Sequence, residues 1–196
     1  MAASEPASVP ERIIEQATRL FVARGYAGIS MREIAEAAGI SKAGLYHHFV
    51  DKEALFMAIL TANLEHIEEL IQSAQQEGAA TRDQVSLMMR AIMAQAPNQR
   101  AIIRLASQEM SQVSQAARAD FGRIYQEKFI RRVEAMLRAG VECGELKPVN
   151  VRVATWLLLG MAYPFLYPAH ERDLDATDEA IELMVITFFD GLGRGA

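Results

Sequence analysis

Two short boxes do most to limit what this chain can become. Ser8-Val9-Pro10-Glu11 and Ser30-Met31-Arg32-Glu33 each set a serine three residues before a glutamate. In that arrangement the serine hydroxyl caps the third amide of a helix and the glutamate reaches back to the serine N–H. Each box therefore predicts a helix start, and Pro10 suits a first turn. Ile13, Ala17, Leu20 and Phe21 then share one helical face, and Gly25 ends it. Ile34, Ala35 and Ala38 do the same after the second box, and Gly39 ends that run. Runs of alternating β-branched residues, the mark of half-buried strands, are nearly absent. The expectation is an all-α protein.

The same reading continues along the chain. Ser41 caps a third helix over about 42–48, and Asp51 caps a fourth. The fourth runs through Leu55, Ile59, Leu64, Ile67 and Ile71 to about residue 76. EGAAT, residues 77–81, is a linker. Further helices are expected over about 82–95, 98–110, 115–143 and 150–167, followed by a polar ERDLDAT loop. A last helix opens at Thr177 or Asp178, and the terminal GLGRGA should fray. The total is about nine helices with no internal repeat. We divide them into an N-terminal head, residues 1–55 with 1–8 as a flexible tail, and a C-terminal body, residues 56–196.

With 51% apolar residues among 196, a large core needs no staples. The one cysteine, Cys143, cannot form an internal disulfide and reads as a small apolar residue. The first residues, MAASEPASVPER, have neither a basic start nor an apolar stretch, so no signal peptide is expected. Both features fit the cytoplasm. Val153–Ala169 is uncharged but short for a membrane span, and Pro164 and Pro168 interrupt it. It reads as a buried or subunit-contact helix. Net charge is −5, but unevenly placed: residues 1–52 carry six basic and six acidic groups, the rest 14 basic and 19 acidic. A specific DNA binder needs only a local cationic face.

That face is sought in SKAGLYHHFVDKEAL, residues 41–55. A helical metal pair needs ligands three or four residues apart, and His47 and His48 are adjacent. A nucleophilic site needs a serine or cysteine beside an oriented base, and Ser41 reads better as a cap. No catalytic residue, metal ligand or cofactor is implied. On a helical wheel Leu45 and Phe49 point to a core with Ile34, Ala35 and Ile40, while Ala43, Gly44 and His47 lie opposite. Lys42, Tyr46 and His48 flank them. With Ala35 permitting a close crossing and Gly39 a tight turn, this is a helix-turn-helix. Its second helix enters the major groove by its N-terminal residues. Tyr, His and Lys side chains hold phosphate, which positions without reading sequence.

Residues 13–60 closely resemble the DNA-binding region of TetR-family transcriptional regulators. The likeness rests on Ala17…Leu20-Phe21…Gly25-Tyr26 and Ser30-Met31-Arg32-Glu33-Ile34-Ala35. It continues through Ala38-Gly39-Ile40-Ser41, Leu45-Tyr46…Phe49 and Lys52-Glu53…Leu55. Carried over, it implies that Arg32 touches a phosphate or base edge and that Ser30 or Met31 offers a backbone N–H. Ser41, Lys42, Ala43 and Gly44 lead the recognition helix; Tyr46, His47 and His48 contact phosphate or bases; and Lys52 grips the backbone. Gly44 stands where many members have threonine.

The resemblance further implies a homodimer that binds a palindromic operator in double-stranded DNA and is released by a small-molecule effector. Repressor rather than activator is inherited from the family. Trp156, Leu157, Gly160 and Met161 with Ile181, Met184, Val185 and Phe188 are expected at the dimer interface. His66, Met88, Met89, Met93, Met110, Phe121, Tyr125, Phe129, Tyr163 and Phe165 could line an apolar effector pocket. The ligand class is a hydrophobic or amphipathic small molecule. The alternative is a DNA-binding structural or partner-regulated protein without an effector. A helical enzyme would need convergent catalytic groups, which the sequence does not offer.

Overall fold

The structure, a computed structural model, describes residues 8–166 and 178–192. The expected tail before Ser8, the ERDLDAT loop, Pro168, Thr177 and most of GLGRGA lie outside them. No strand occurs among the described residues. The helices are α1 (Val9–Arg24), α2 (Met31–Ala37), α3 (Lys42–His48), α4 (Lys52–Glu77) and α5 (Thr81–Met93). They continue with α6 (Pro97–Glu109), α7 (Gln115–Tyr125), α8 (Arg131–Glu142), α9 (Val151–Ala162) and α10 (Asp178–Leu192). A single π turn, Gln126–Ile130, joins α7 to α8, so these ten segments form nine rods.

The caps explain the boundaries. Ser8 and Ser30 each make both hydrogen bonds of a capping box, and in the second the Ser30 N–H donates to Glu33 Oε2 at 2.8 Å. Ser41 Oγ accepts the Gly44 N–H at 3.0 Å, and Asp51 Oδ1 accepts the Ala54 N–H at 2.7 Å. Gly39 (φ +67°) and Gly144 (φ +83°) adopt the left-handed region just past α2 and α8. Cys143, beside the second of these, is exposed rather than packed as a small apolar residue.

Contacts divide the chain into two compact units. The first holds α1 to α3, α4 as far as Asn63, and residues 101–121. In it α1 packs on α2 and α2 on α3, around Ile13, Ala17, Phe21, Ile34, Leu45, Leu55 and Phe56. The second holds the rest, with α8 packed on α5 and α9, and α10 on α5 and α9. Its core includes Val85, Met88, Val133, Met136, Leu137 and Leu158.

Several expectations change here. The rod expected over 115–143 keeps its length but carries the π turn, which no residue pattern announced. The α-helical part of the expected 150–167 helix stops at Ala162 and continues as a 3₁₀ turn, Tyr163–Leu166. Pro164 has no N–H to continue the α-helical bonding. The expected dimer residues of α10 face inward. Ile181, Met184, Val185 and Phe188 are 3–5% exposed, because α5 and α9 take that face. The outward apolar residues of α10 are Leu183 and Ile186. On α9, Trp156 and Leu157 are exposed with Val153 and Gly160, and Met161 is half-buried. No helix of the described residues is long and apolar enough to cross a membrane.

Candidate nucleic-acid interface

α3 has seven residues and one buried side chain, Leu45, which is fully inside. A helix this short holds its shape through its cap and its packing rather than its own propensity. The turn before it is closed by the Ile40 N–H donating to Ala35 O at 3.0 Å and the Gly39 N–H to Glu36 O at 3.2 Å. With Leu45 anchored, Lys42, Ala43, Tyr46, His47 and His48 stand exposed and Gly44 half-buried. Lys42 Nζ lies 5.7 Å from the Tyr46 ring centroid, within cation–π reach. The His47 and His48 rings meet edge-on at 5.3 Å. A Cβ at Gly44 would meet only Ser41 Oγ, at 3.3 Å. Packing inside the protein therefore does not demand glycine there.

α2 presents Arg32, well exposed, whose Nε donates to Glu36 Oε1 at 2.8 Å. That bond raises the affinity of Arg32 for its proton. The exposed pair can exchange Glu36 for a phosphate at little cost, since surface ion pairs are weak. Behind α2, Arg24 donates to Gly28 O at 2.6 Å and pairs with Glu33 at 2.8 Å. Glu33 is held at about 2, first by the Ser30 hydroxyl and N–H and then by Arg24. The Ser30 N–H, one of the expected backbone donors, is thus already used by Glu33. The Met31 N–H remains at the helix start, while the Met31 side chain is buried.

Lys52 differs most from expectation. Its ammonium donates to Tyr26 O at 2.9 Å and Ile29 O at 3.0 Å, and lies 4.3 Å from the Tyr26 ring centroid. Two of its three N–H donors are bound inside the protein, so it is not a freely extended grip on DNA. The sequence carries no local sign of this, because the partners lie 26 and 23 residues away. Val50, 74% exposed beside α3, is a further outward residue that no motif singles out.

The expected effector residues separate. Met88, Met89 and Met93 are buried core. His66 stands on the exposed side of α4, 3.7 Å from Glu69, because Leu64, Ile67 and Ile71 turn the other side inward. Met110 and Phe121 belong to the first unit, and Tyr125, Phe129, Tyr163 and Phe165 to the second. Tyr125 and Phe129 meet across the π turn with ring centroids 5.5 Å apart. Burial, and then the neighbouring Tyr163, push the Tyr125 hydroxyl up to about 12. In the same turn Lys128 donates to Glu68 at 2.9 Å, and Arg132 reaches Glu68 at 2.6 Å. Lys128 first, then Arg132, keeps the Glu68 carboxyl below its ordinary range despite opposing desolvation. No group of three metal-ligating side chains occurs among the described residues.

Residues 13–59 match the family described as bacterial regulatory proteins, tetR family. Residues 78–163 match the one described as tetracyclin repressor-like, C-terminal domain. The transcriptional repressor AcnR of Corynebacterium glutamicum is 36% identical over 70 residues, 36% of this chain and 37% of that one. The chain thus spans little more than a third of that relative's length. The regulator PfmR of Thermus thermophilus superposes with a TM-score of 0.78 at 26% identity, covering 97% of this chain and 100% of that one. AibR, crystallised with isovaleryl coenzyme A and operator DNA, superposes with a TM-score of 0.74 at 28% identity, covering 93% and 98%.

Proposed function

Because this chain belongs to the tetR family of bacterial transcriptional regulators, we propose that it is an operator-binding repressor released by a small amphipathic effector. The observation that carries the DNA reading is the outward face of α3. Lys42, Ala43, Gly44, Tyr46, His47 and His48 project from a helix held by the single buried anchor Leu45. The small N-terminal residues would let the backbone approach base edges, and the longer ones would bind phosphate. Arg32, the Met31 N–H and the Ser41 end of α3 would complete the contact. In this reading residues 1–55 carry the DNA contacts and residues 56–196 the effector and dimer functions, although residues 56–63 and 101–121 pack in the same compact unit as the head, and the protein works in the cytoplasm.

A palindromic operator requires two heads, so the protein would act as a homodimer. Val153, Trp156 and Leu157 on α9 and Leu183 and Ile186 on α10 offer an apolar surface suited to a second copy. For the effector, Tyr125, Phe129 and Tyr163 offer aromatic contact at the π turn, a distortion common at functional sites. AibR's isovaleryl coenzyme A supports trying short acyl thioesters first.

The test is selection of genomic fragments by the purified protein, with Tyr46→Ala alongside. Enrichment of a palindrome that Tyr46→Ala loses supports the reading. No enrichment, repeated with refolded, ligand-stripped protein, would sink it. An acyl thioester that abolishes binding to the enriched fragment would support the effector class.

A further inference from the structure

We propose that Lys52 is a positioning residue, whose ammonium holds the Tyr26–Ile29 loop in place instead of binding a DNA phosphate. This rests on the DNA-binding reading above only for what is positioned. Lys52 is the first residue of α4, and the loop it holds joins α1 to α2. Its ammonium has three neighbours on the protein: Tyr26 O at 2.9 Å, Ile29 O at 3.0 Å and the Tyr26 ring at 4.3 Å. An ammonium carries three N–H donors and no acceptor. Turning it to a phosphate would strip two carbonyls of a charged donor and break a cation–π contact.

The held loop is itself fixed to the core. The Tyr26 ring lies 4.9 Å from Phe56 and 5.9 Å from Phe21, and Phe56 and Phe21 meet edge-on at 5.4 Å. Phe21 and Phe56 are fully buried, and Ile29 is 3% exposed. There is little slack: a Cβ at Gly28 would lie 2.5 Å from Arg24 O. The loop ends at Ser30, whose capping box starts α2, and α2 packs on α3. The Lys52 ammonium therefore sets where α2 begins, and through α2 how α3 is presented.

The test separates positioning from phosphate contact through salt dependence. Each phosphate neutralised adds about 0.9 to the slope of log affinity against log salt on duplex DNA. Lys52→Met keeps the aliphatic stem but removes the charge and donors. We expect its Tm to fall by roughly 5 °C. Tyr26→Leu should also lower Tm, and the double variant should lose less than the two losses summed. On the fragment selected by the wild type, Lys52→Met should bind more weakly with an unchanged salt slope. Lys42→Met, the outward control, should lose about one unit of slope.

A slope lowered by about one unit in Lys52→Met, or an unchanged Tm, would overturn the proposal. If Lys52→Met is too unstable to assay, Lys52→Gln, which keeps N–H donors without charge, takes its place. A wild-type slope then supports positioning, and a slope lower by one unit overturns it. If the wild type selects no DNA, the functional reading falls, and additive Tm losses for Lys52 and Tyr26 would sink this inference separately.

Discussion

The Arg24 guanidinium lies 2.8 Å from the Glu33 carboxylate, tying the last turn of α1 to the first turn of α2. The same carboxylate accepts from the Ser30 N–H at 2.8 Å and the Ser30 hydroxyl at 2.7 Å. One side chain thus caps a helix and braces the entry to the helix-turn-helix. Glu33 titrates at about 2 in the folded chain against an ordinary 4.5. Since the folded value is the lower one, its stabilising effect is full above pH 4.5 and disappears as pH falls to about 2. Wild type should therefore be more stable than Glu33→Gln at neutral pH, and the difference in Tm should shrink across that acid window. A gap that stayed constant down to pH 2 would contradict the assignment.

The backbone does not require Gly44, which has no positive φ, and the one atom that a Cβ there would crowd is the Ser41 hydroxyl oxygen, 3.3 Å away and already capping α3 through the Gly44 N–H. Gly44→Ala should gain about 0.5–1 kcal/mol of helix propensity in the short α3, less the cost of shifting the Ser41 cap by a few tenths of an ångström. DNA affinity should fall if glycine serves close approach to bases. Thermal melts and a binding titration read the two effects separately. A stabilised variant with full affinity would remove Gly44 from the contact surface.

Gly39 is the opposite case. Its φ of +67° disfavours any L side chain, yet a Cβ there would meet nothing within 4 Å. Gly39→Ala should cost about 1–2 kcal/mol from conformation alone. Gly39→Asn, which tolerates the left-handed region, should cost clearly less. Equal losses in chemical denaturation would argue against backbone strain as the cause.

The two faces of α10 should answer differently to the same change. Leu183→Glu on the exposed face of α10, and Leu157→Glu on the exposed face of α9, should leave the fold intact and shift sedimentation from dimer to monomer. Met184→Glu, at 5% exposure, should unfold the body by burying an unpaired charge. A dimer that survived both surface substitutions would move the interface elsewhere.

Much of this molecule is legible residue by residue. Ser8, Ser30, Ser41 and Asp51 mark helix starts within one residue, because caps are satisfied by neighbours three positions on. Helical period points both Leu45 and Phe49 to the core; the structure buries Leu45 fully and leaves Phe49, at the end of α3, half-buried. Where partners are remote, that logic stops. Ile181 and Met184 look like a contact face in sequence, and only their packing on α5 and α9 makes them core.

What the sequence determined by itself was the local programme: helices, their caps, the tight turn at Gly39, and the residues presented by α3. Each follows from hydrogen bonds and periodicities that span a few residues. Only the tertiary structure decided which apolar face stays outside and that a π turn sets Tyr125 against Phe129. It also committed Lys52 to two carbonyls more than twenty residues away. Burial and long-range hydrogen bonds depend on which elements meet, and no window of neighbouring residues contains that information.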